Sequence, residues 1–205
     1  MSSSICSIIL AAGTSTRMGK SKQLLLLNGR PLLEHVIRSV IAGGFSEIIA
    51  VIGYEASNIQ KAITIDDPRF RWIVNKDYLV GQSSSLKMGI SNIRKHHAGV
   101  MVFLGDLPFI SERTVQSIFQ LGNEMLLEYE ESFIIQPKYH GAPGHPVFFG
   151  HMDKNLFTQL QGDHGARKVM DKIAHRIHLI VEDEGILFDI DTPDAYEKAK
   201  QYTKK

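Results

Sequence analysis

The chain has 205 residues, of which 43% are hydrophobic and 22% are charged, and its formal net charge is +1. A chain of this length buries roughly 70% of the surface of its unfolded state, so it needs neither disulfides nor a structural metal to fold. The nearly balanced charge argues against a nucleic-acid partner, because proteins that bind nucleic acid normally have a basic face. We therefore expect a small-molecule ligand.

The sequence also bears on location. Cys6 is the only cysteine, and a lone thiol cannot form an internal disulfide, which is typical of a reducing compartment. No stretch approaches the roughly 20 apolar residues that cross a bilayer. Residues 1–4 lack the positive charge with which a signal peptide begins. We expect a cytoplasmic protein with no membrane partner.

In the first half of the chain, short apolar runs alternate with segments whose apolar residues recur every three or four positions. The runs predict buried strands and the periodic segments predict amphipathic helices. Strands are predicted at Ile5–Leu10, Glu47–Ile52, Arg71–Val74 and Val100–Leu104. Helices are predicted at Pro31–Ala42, Glu55–Ile63, Ser83–Arg94 and Ser111–Leu121, the last with Ser111 as its N-cap.

In the second half the alternation continues on both sides of an irregular, turn-rich segment at Lys138–Pro146. Strands are predicted at Phe133–Gln136, Pro146–Phe149, Arg176–Val181 and Leu187–Ile190, and helices at Asp153–Leu160, at His164–Ile173 and from Thr192 to the lysine-rich end. The pattern predicts one α/β domain over residues 1–205, with a mostly parallel central sheet and helices on both faces. Ligands of such sheets bind beyond the carboxyl ends of the strands.

The segment Leu10–Lys22 directly follows the first predicted strand and has the residues of a phosphate site. Small side chains at Ala11–Gly13 allow the backbone N–H groups to approach phosphate oxygens closely. Arg17, Lys20 and Lys22 add cationic donors. The glycine spacing is one residue too long for a Walker loop, and no G-x-G-x-x-G occurs. The alternative is a basic surface turn.

Acidic residues follow two of the later predicted strands. Asp106 comes directly after Val100–Leu104, where a carboxylate suits Mg²⁺ bound together with substrate phosphates. A turn aspartate with only local hydrogen bonds is the alternative. In Phe188–Pro193, Asp189 and Asp191 stand at alternate positions and would project from one side of a strand. Either could complete the metal site with Asp106, although Asp191 could instead serve only to start the last helix.

Three further segments carry polar side chains that suit ligand contacts. In Gly81–Leu86 the polar residues would either read a base edge or cap the helix that follows. Gly141–Pro146 contains His145, and Gly162–Arg167 contains Arg167. Both are flexible turns that predict contacts to a second substrate, with an ordinary surface turn as the alternative.

The motifs LAAGTSTRMGKSK, GQSSSL, GDLPFI, GHPVFF, GDHGAR and FDIDTPDAY occur in the order found in the MobA-like NTP transferase family. Their combination resembles the MocA branch, the molybdenum cofactor cytidylyltransferases, over residues 5–200. The resemblance implies a Rossmann-like nucleotidyltransferase fold, Mg²⁺ as cofactor, and CTP and a molybdopterin-type cofactor as substrates. It also implies transient contact with a molybdenum hydroxylase such as xanthine dehydrogenase.

The same resemblance implies roles for individual residues. The nucleotide-binding residues would be Leu10, Ala11, Ala12, Gly13, Lys22, Gln82, Ser84 and Asp106; the catalytic residues Arg17, Lys22 and Asp106; and the metal ligands Asp106, Asp189 and Asp191. His145 and Arg167 would contact the cofactor substrate. Ala12 stands where the guanylyl branch usually has glycine, which favours CTP over GTP. A sugar- or polyol-phosphate nucleotidylyltransferase and a non-catalytic cofactor carrier are the alternatives.

Overall fold

The computed structural model describes residues 4–94, 97–158 and 166–202, apart from the side chains of Arg17 and Thr158. In these ranges the strands, β1 to β10, are Ile5–Ala11, Leu26–Leu27, Arg30–Pro31, Glu47–Ile52, Phe70–Val74, Gly99–Leu104, Phe133–Tyr139, Ala142–Pro143, Val147–Gly150 and His175–Ile180. The α-helices, α1 to α7, are Leu32–Ala42, Ala56–Ala62, Gln82–Ser91, Glu112–Glu128, Lys154–Thr158, Arg167–Met170 and Pro193–Gln201. Short 3₁₀ helices lie at Thr16–Met18, Lys22–Leu24, Tyr78–Val80 and Glu184–Ile186.

The main sheet has the strand order β10-β7-β9-β6-β1-β4-β5, with β8 paired to β7. The pairs of β1 with β4 and β6, of β4 with β5 and of β7 with β10 are parallel. Only β8 and β9 run antiparallel to their neighbours in this sheet. This confirms the predicted α/β fold with a mostly parallel sheet. Leu10 is in register with Val51 and Leu104, so three neighbouring strands end at one edge.

Apolar side chains cover both faces of the sheet, which explains why its central strands read as continuous apolar runs. On one face Ile9 belongs to a core with residues of α1, α2 and α4. On the other face Ile8 belongs to a core with residues of α3, α5 and α6. None of the helices in the described ranges has the length and apolarity to cross a membrane.

The predicted helix starts at Ser111 and Thr192 are confirmed. The Ser111 hydroxyl accepts a hydrogen bond from the Thr114 N–H at 3.2 Å. The Thr192 hydroxyl accepts one from the Ala195 N–H at 3.2 Å, with proline at the first helical position. Both hydroxyls satisfy backbone donors that the first turn of a helix leaves without partners.

The predicted end of α4 at Leu121 was wrong, since the helix continues to Glu128. Gly122, which resembles a stop signal, is instead a packing position. A Cβ atom there would lie 2.6 Å from the ring of Phe148. The helix therefore passes close over β9 at this glycine, and Met125 and Leu126 beyond it are buried in the core.

Two segments of the C-terminal half also differ from the prediction. Lys138–Pro146 is not wholly irregular, because β7 extends to Tyr139 and turns back into β8. Leu187–Ile190 forms no strand. The Ile190 N–H instead donates to the backbone oxygen of Asp106 at 3.1 Å, and the Ile190 side chain is fully buried against Leu32 and Phe109. The alternation of apolar and acidic residues reflects this anchoring rather than a strand.

Candidate active site

A cleft of about 320 Å³ opens at the edge where β1 and β6 end. Its walls come from the loop after β1, from Lys22 and Gln23, from the turn before α3 together with the start of that helix, and from the loop after β6. The lining residues are Leu10, Ala11, Ala12, Gly13, Thr14, Lys22, Gln23, Tyr78, Leu79, Gly81, Gln82, Ser85, Leu104, Gly105 and Asp106. The cleft thus lies beyond the carboxyl ends of parallel strands, where ligands bind in this architecture.

The loop after β6 is in direct contact with the end of β1. The Gly105 N–H donates to the Leu10 oxygen at 2.9 Å. A Cβ atom at position 105 would lie only 2.7 Å from that of Ala11, which is closer than real Cβ contacts come. The absence of a side chain at Gly105 therefore brings the next residue, Asp106, to the same cleft as the small residues Ala11–Gly13.

Lys22 is held between two carboxylates at the base of the cleft. Its Nζ donates to Asp106 Oδ2 at 2.6 Å and to Asp191 Oδ1, and only 15% of its side chain is exposed. Burial opposes the charged ammonium group, but the charges and hydrogen bonds of Asp106 and Asp191 outweigh it and raise the pKa of Lys22. Lys22 is therefore a fixed positive charge at neutral pH.

Asp106 has one oxygen with no hydrogen-bond partner in the described part of the chain. Its Oδ2 accepts from Lys22, whereas Oδ1 is buried and has no hydrogen-bond partner among the described residues. A buried oxygen without a partner is costly unless a ligand satisfies it. A hard divalent cation is the natural partner for a carboxylate oxygen at such a site, so the residues present fit a metal.

The acidic segment after Ile186 adds negative charge to this site. Burial and then the charges of Asp191 and Asp106 raise the pKa of Asp189. The three aspartates do not, however, place their oxygens within 4.8 Å of one another; in the described chain only Cys6, Glu47 and His97 form such a group. In this conformation the ammonium of Lys22 lies where Asp106 and Asp191 would share a cation.

The two other cations predicted for the phosphates have different positions. The backbone of Arg17 lies in the 3₁₀ turn Thr16–Met18, and its side chain lies outside the described part of the chain. Lys20 is exposed and lies in a shallow depression with Tyr196, outside the cleft. Arg17 stays a prediction, and Lys22 is the lysine that the fold directs into the site.

The start of α3 divides the predicted base-reading residues. Gln82 lines the cleft, whereas Ser84 does not. The Ser84 hydroxyl donates to the backbone oxygens of Gly81 and Asp77 and so helps to shape the turn. Ser85 lines the cleft instead, and its hydroxyl accepts from the buried side chain of Asn75 at 3.0 Å.

A second, larger cleft of about 620 Å³ adjoins the first and shares Leu10, Gln82 and Leu104 with it. It brings together His145 and Arg167, the two residues predicted for a second substrate, beside Gln136 and Arg176. Burial lowers the pKa of His145, although Val102 and Asp106 oppose this, so its imidazole is neutral at neutral pH. The stretch Gly162–Gly165 of the predicted contact segment lies outside the described residues.

Sequence reasoning did not single out Gln23, Thr14, Tyr78 or Ser85 as residues of the first cleft, although Thr14 and Ser85 belong to segments that were predicted to contact the ligand. Gln23 directly follows Lys22, but the sequence carries no sign that it is buried. Tyr78 packs where Gly53 has no side chain, since a Cβ there would lie 2.6 Å from that of Tyr78. These placements depend on contacts between residues far apart in the chain.

A cradle of small residues, a buried lysine and a strand-end carboxylate around one cleft are the parts of a nucleotidyltransferase, and the fold and the site together define that class. The chain belongs to the family of the MobA-like NTP transferase domain, whose model matches residues 7–177. The family prediction is confirmed. Asp189 and Asp191 lie beyond the matched residues.

Full-length relatives agree with this assignment. The chain is 29% identical over 205 residues to the molybdenum cofactor cytidylyltransferase of Escherichia coli K12, covering 98% of this chain and 99% of the relative. It is 26% identical over 202 residues to the purine catabolism protein PucB of Bacillus subtilis 168, covering 95% of each.

Solved structures match over nearly the whole chain. Rv0371c from Mycobacterium tuberculosis H37Rv superposes with a TM-score of 0.83 at 25% identity, covering 98% of this chain and 100% of that one. A complex of Rv0371C with manganese superposes with a TM-score of 0.78 at 24% identity and the same coverage.

Proposed function

We propose that this protein transfers CMP from CTP to the terminal phosphate of a molybdopterin-type cofactor, giving the cytosine dinucleotide cofactor and pyrophosphate. The observation that carries the proposal is the convergence of Lys22 and Asp106 on the cleft formed by Leu10–Gly13, next to a second cleft that holds His145 and Arg167. The two adjoining clefts match a reaction between two substrates. The likeness to a molybdenum cofactor cytidylyltransferase supports the choice of substrates.

In the reaction a phosphate oxygen of the cofactor attacks the α-phosphorus of CTP. The new P–O bond forms as the bond to the β-phosphate breaks, and pyrophosphate leaves. Such a transfer needs positioning and neutralisation of charge more than a covalent protein group. The backbone of Leu10–Gly13 binds the phosphates. Lys22 and Arg17 neutralise their negative charge, and Gln82 contacts the nucleobase.

Asp106 would hold the metal through Oδ1, which has no hydrogen-bond partner among the described residues. Asp189 or Asp191 would be a further ligand. Bound Mg²⁺ would neutralise negative charge on the triphosphate. The manganese complex of Rv0371C supports a divalent ion in this fold. Since Lys22 bridges Asp106 and Asp191, its release towards the nucleotide phosphates would remove one hydrogen bond from each carboxylate.

The second cleft would take the pterin substrate. Arg167 would face its phosphate, and the neutral imidazole of His145 would offer a hydrogen bond without adding charge beside Asp106. We propose a molybdenum hydroxylase of the xanthine dehydrogenase type as the recipient of the product. The likeness to a purine catabolism protein supports this choice.

The test has two stages. A thermal-shift panel of CTP, GTP, ATP and UTP with Mg²⁺ identifies the nucleotide, because ligand at about 100 times its Kd stabilises the fold by roughly 2.7 kcal/mol. Pyrophosphate release is then measured with that nucleotide, Mg²⁺ and molybdopterin, and with sugar and polyol phosphates in its place. We expect a selective shift with CTP and release only with molybdopterin.

Each other outcome replaces the proposal by a definite alternative. A shift with GTP alone reverses the choice of base. Release with a sugar or polyol phosphate, but not with the pterin, assigns that substrate class. Tight binding of the mature cofactor with no pyrophosphate from any nucleotide identifies a carrier.

A further inference from the structure

Gln23 has a buried polar side chain, and the hydrogen bonds of its amide all go to residues of the segment Leu10–Lys22. It is 1% exposed. Its Nε2 donates to the backbone oxygens of Ala11 and Gly13, both at 3.0 Å. Its Oε1 accepts from the hydroxyls of Ser21 at 2.8 Å and Ser15 at 3.4 Å. Two donors and two acceptor positions are the full capacity of a glutamine amide, so this side chain can hold only one orientation.

These contacts determine how the peptide groups of the loop are turned. In a trans peptide the C=O group and the N–H group of the next residue point in opposite directions. Because the oxygens of Ala11 and Gly13 point at Gln23, the N–H groups of Ala12 and Thr14 point away from it. Both of these residues line the cleft. The alternate peptides of the loop are thus aligned as a pair of donors.

We propose that Gln23 is a positioning residue that fixes the loop after β1, so that the N–H groups of Ala12 and Thr14 bind the phosphates of the nucleotide. The proposal rests on the proposed function for the identity of the ligand but not for its base. Gln23 acts through the loop, because the four hydrogen bonds of its amide all go to protein atoms. Its amide binds the backbone oxygens of Ala11 and Gly13 at the point where β1 ends.

The experiment compares Gln23→Met with the wild type. Methionine has nearly the same length and shape but cannot donate to two carbonyl oxygens, so the loop loses its constraint. Gln60→Met, on the exposed side of α2, is the matched control. Calorimetry gives the Kd for inorganic tripolyphosphate with Mg²⁺, for CTP with Mg²⁺ and for cytidine. Hydrogen exchange follows the amides of residues 11–14.

For Gln23→Met we expect roughly tenfold weaker binding of tripolyphosphate and CTP, from two lost hydrogen bonds, and faster exchange at residues 12 and 14. The affinity for cytidine should change less than twofold. A general destabilisation of the protein would instead weaken the binding of all three ligands. Ser21→Ala removes one partner of the Gln23 oxygen and should give a smaller loss; it serves as the test if Gln23→Met does not fold.

Equal tripolyphosphate affinity in the wild type and the folded variants overturns the role of Gln23, and so does an equal loss for cytidine. A wild type that binds neither tripolyphosphate nor any nucleoside triphosphate overturns the proposed function instead. A wild type that binds tripolyphosphate but prefers another base to cytosine leaves the positioning role intact. The two failures are therefore distinguishable.

Discussion

Cations and carboxylates meet at both edges of the same sheet, but the two clusters are built differently. At the amino edge, Glu47 accepts from Arg71 at 2.6 Å and from His97 at 2.8 Å, and the Arg94 N–H reaches both of its oxygens. At the carboxyl edge, Lys22 bridges Asp106 and Asp191, yet Asp106 Oδ1 has no partner in the described chain. The first cluster is complete by itself, whereas the second is arranged for a ligand.

This difference explains why close spacing of possible ligands does not by itself make the cluster at the amino edge the better candidate for metal binding. Cys6, Glu47 and His97 lie close together, but Glu47 already accepts hydrogen bonds from the Arg71 guanidinium and from His97. Burial, and then the charge of Glu47, raise the pKa of the Cys6 thiol, which disfavours the thiolate that binds metals. An oxygen without a partner is more informative about function than the number of ligands nearby.

The largest expected effect comes from removing the carboxylate at the carboxyl edge. Asp106→Ala should lower kcat/KM by about two to three orders of magnitude, as the loss of one charge-stabilising group typically does. The unfolding midpoint should stay close to that of the wild type, and the exposed Asp66→Ala should behave as the wild type. Steady-state pyrophosphate release and thermal melts measure both quantities. Near-normal turnover would remove Asp106 from the mechanism.

Breaking the complete cluster should have the opposite profile. Glu47→Ala leaves Arg71 buried without its carboxylate and should lower the free energy of unfolding by about 3 kcal/mol, in the range for a broken buried pair. Nucleotide affinity of the folded variant should not change, because the cluster lies at the far edge of the sheet. Urea denaturation and calorimetry give the two values. Glu197→Ala, in an exposed pair with Lys200, is the control.

Lys22→Met sharpens the comparison by removing the ammonium group that bridges Asp106 and Asp191 at the carboxyl edge. Asp106 Oδ2 and Asp191 Oδ1 then lose the ammonium group that both contact, so Mn²⁺ should bind the nucleotide-free protein at least roughly tenfold more tightly, given the strength of charge interactions at short range. Turnover should nevertheless fall. Mn²⁺ titration followed by electron paramagnetic resonance measures the affinity, with Lys20→Met as the control. An unchanged affinity would contradict the bridging role of Lys22.

The smallest effect is a pH dependence at the amino edge. Hydrogen bonds from Arg71 and His97 overcome burial and hold the pKa of Glu47 below its ordinary value of 4.5. A depressed pKa contributes stability above the unfolded-state value that is lost as pH falls through the folded-state value. The stability difference between wild type and Glu47→Gln should therefore be constant near neutral pH and shrink below about pH 4.5. Urea denaturation across this range tests it, and a difference that grows in acid would contradict it.

The parts of the fold that depend on local pattern were predictable from the sequence. The strand Glu47–Ile52 has its predicted bounds, and Ser111 and Thr192 cap the helices that follow them. The errors occur where a residue answers to distant partners. Gly122 packs on Phe148 instead of ending a helix, and Ile190 is anchored to Asp106 instead of pairing in a sheet.

The candidate site divides in the same way. Lys22 and Asp106 could be predicted because each follows a recognisable strand and loop, and the fold brings them to one cleft. Whether Ser84 or Ser85 faces the ligand depends on the exact start of α3, which local pattern does not determine. Gln23 was not predicted, because its role comes from four hydrogen bonds that form only in the folded chain.

The contact of Gly105 with Ala11 means that the two loops of the first cleft share one volume. A methyl group at position 105 would lie 2.7 Å from that of Ala11, and it would also lie 3.1 Å from the Leu33 side chain and 3.2 Å from the Leu10 backbone oxygen. Enlarging either residue would wedge the metal-side loop away from the phosphate-side loop. Position 105 is therefore the more constrained of the two, and a library that randomises both positions should return active variants that keep glycine at 105 with a small residue at 11.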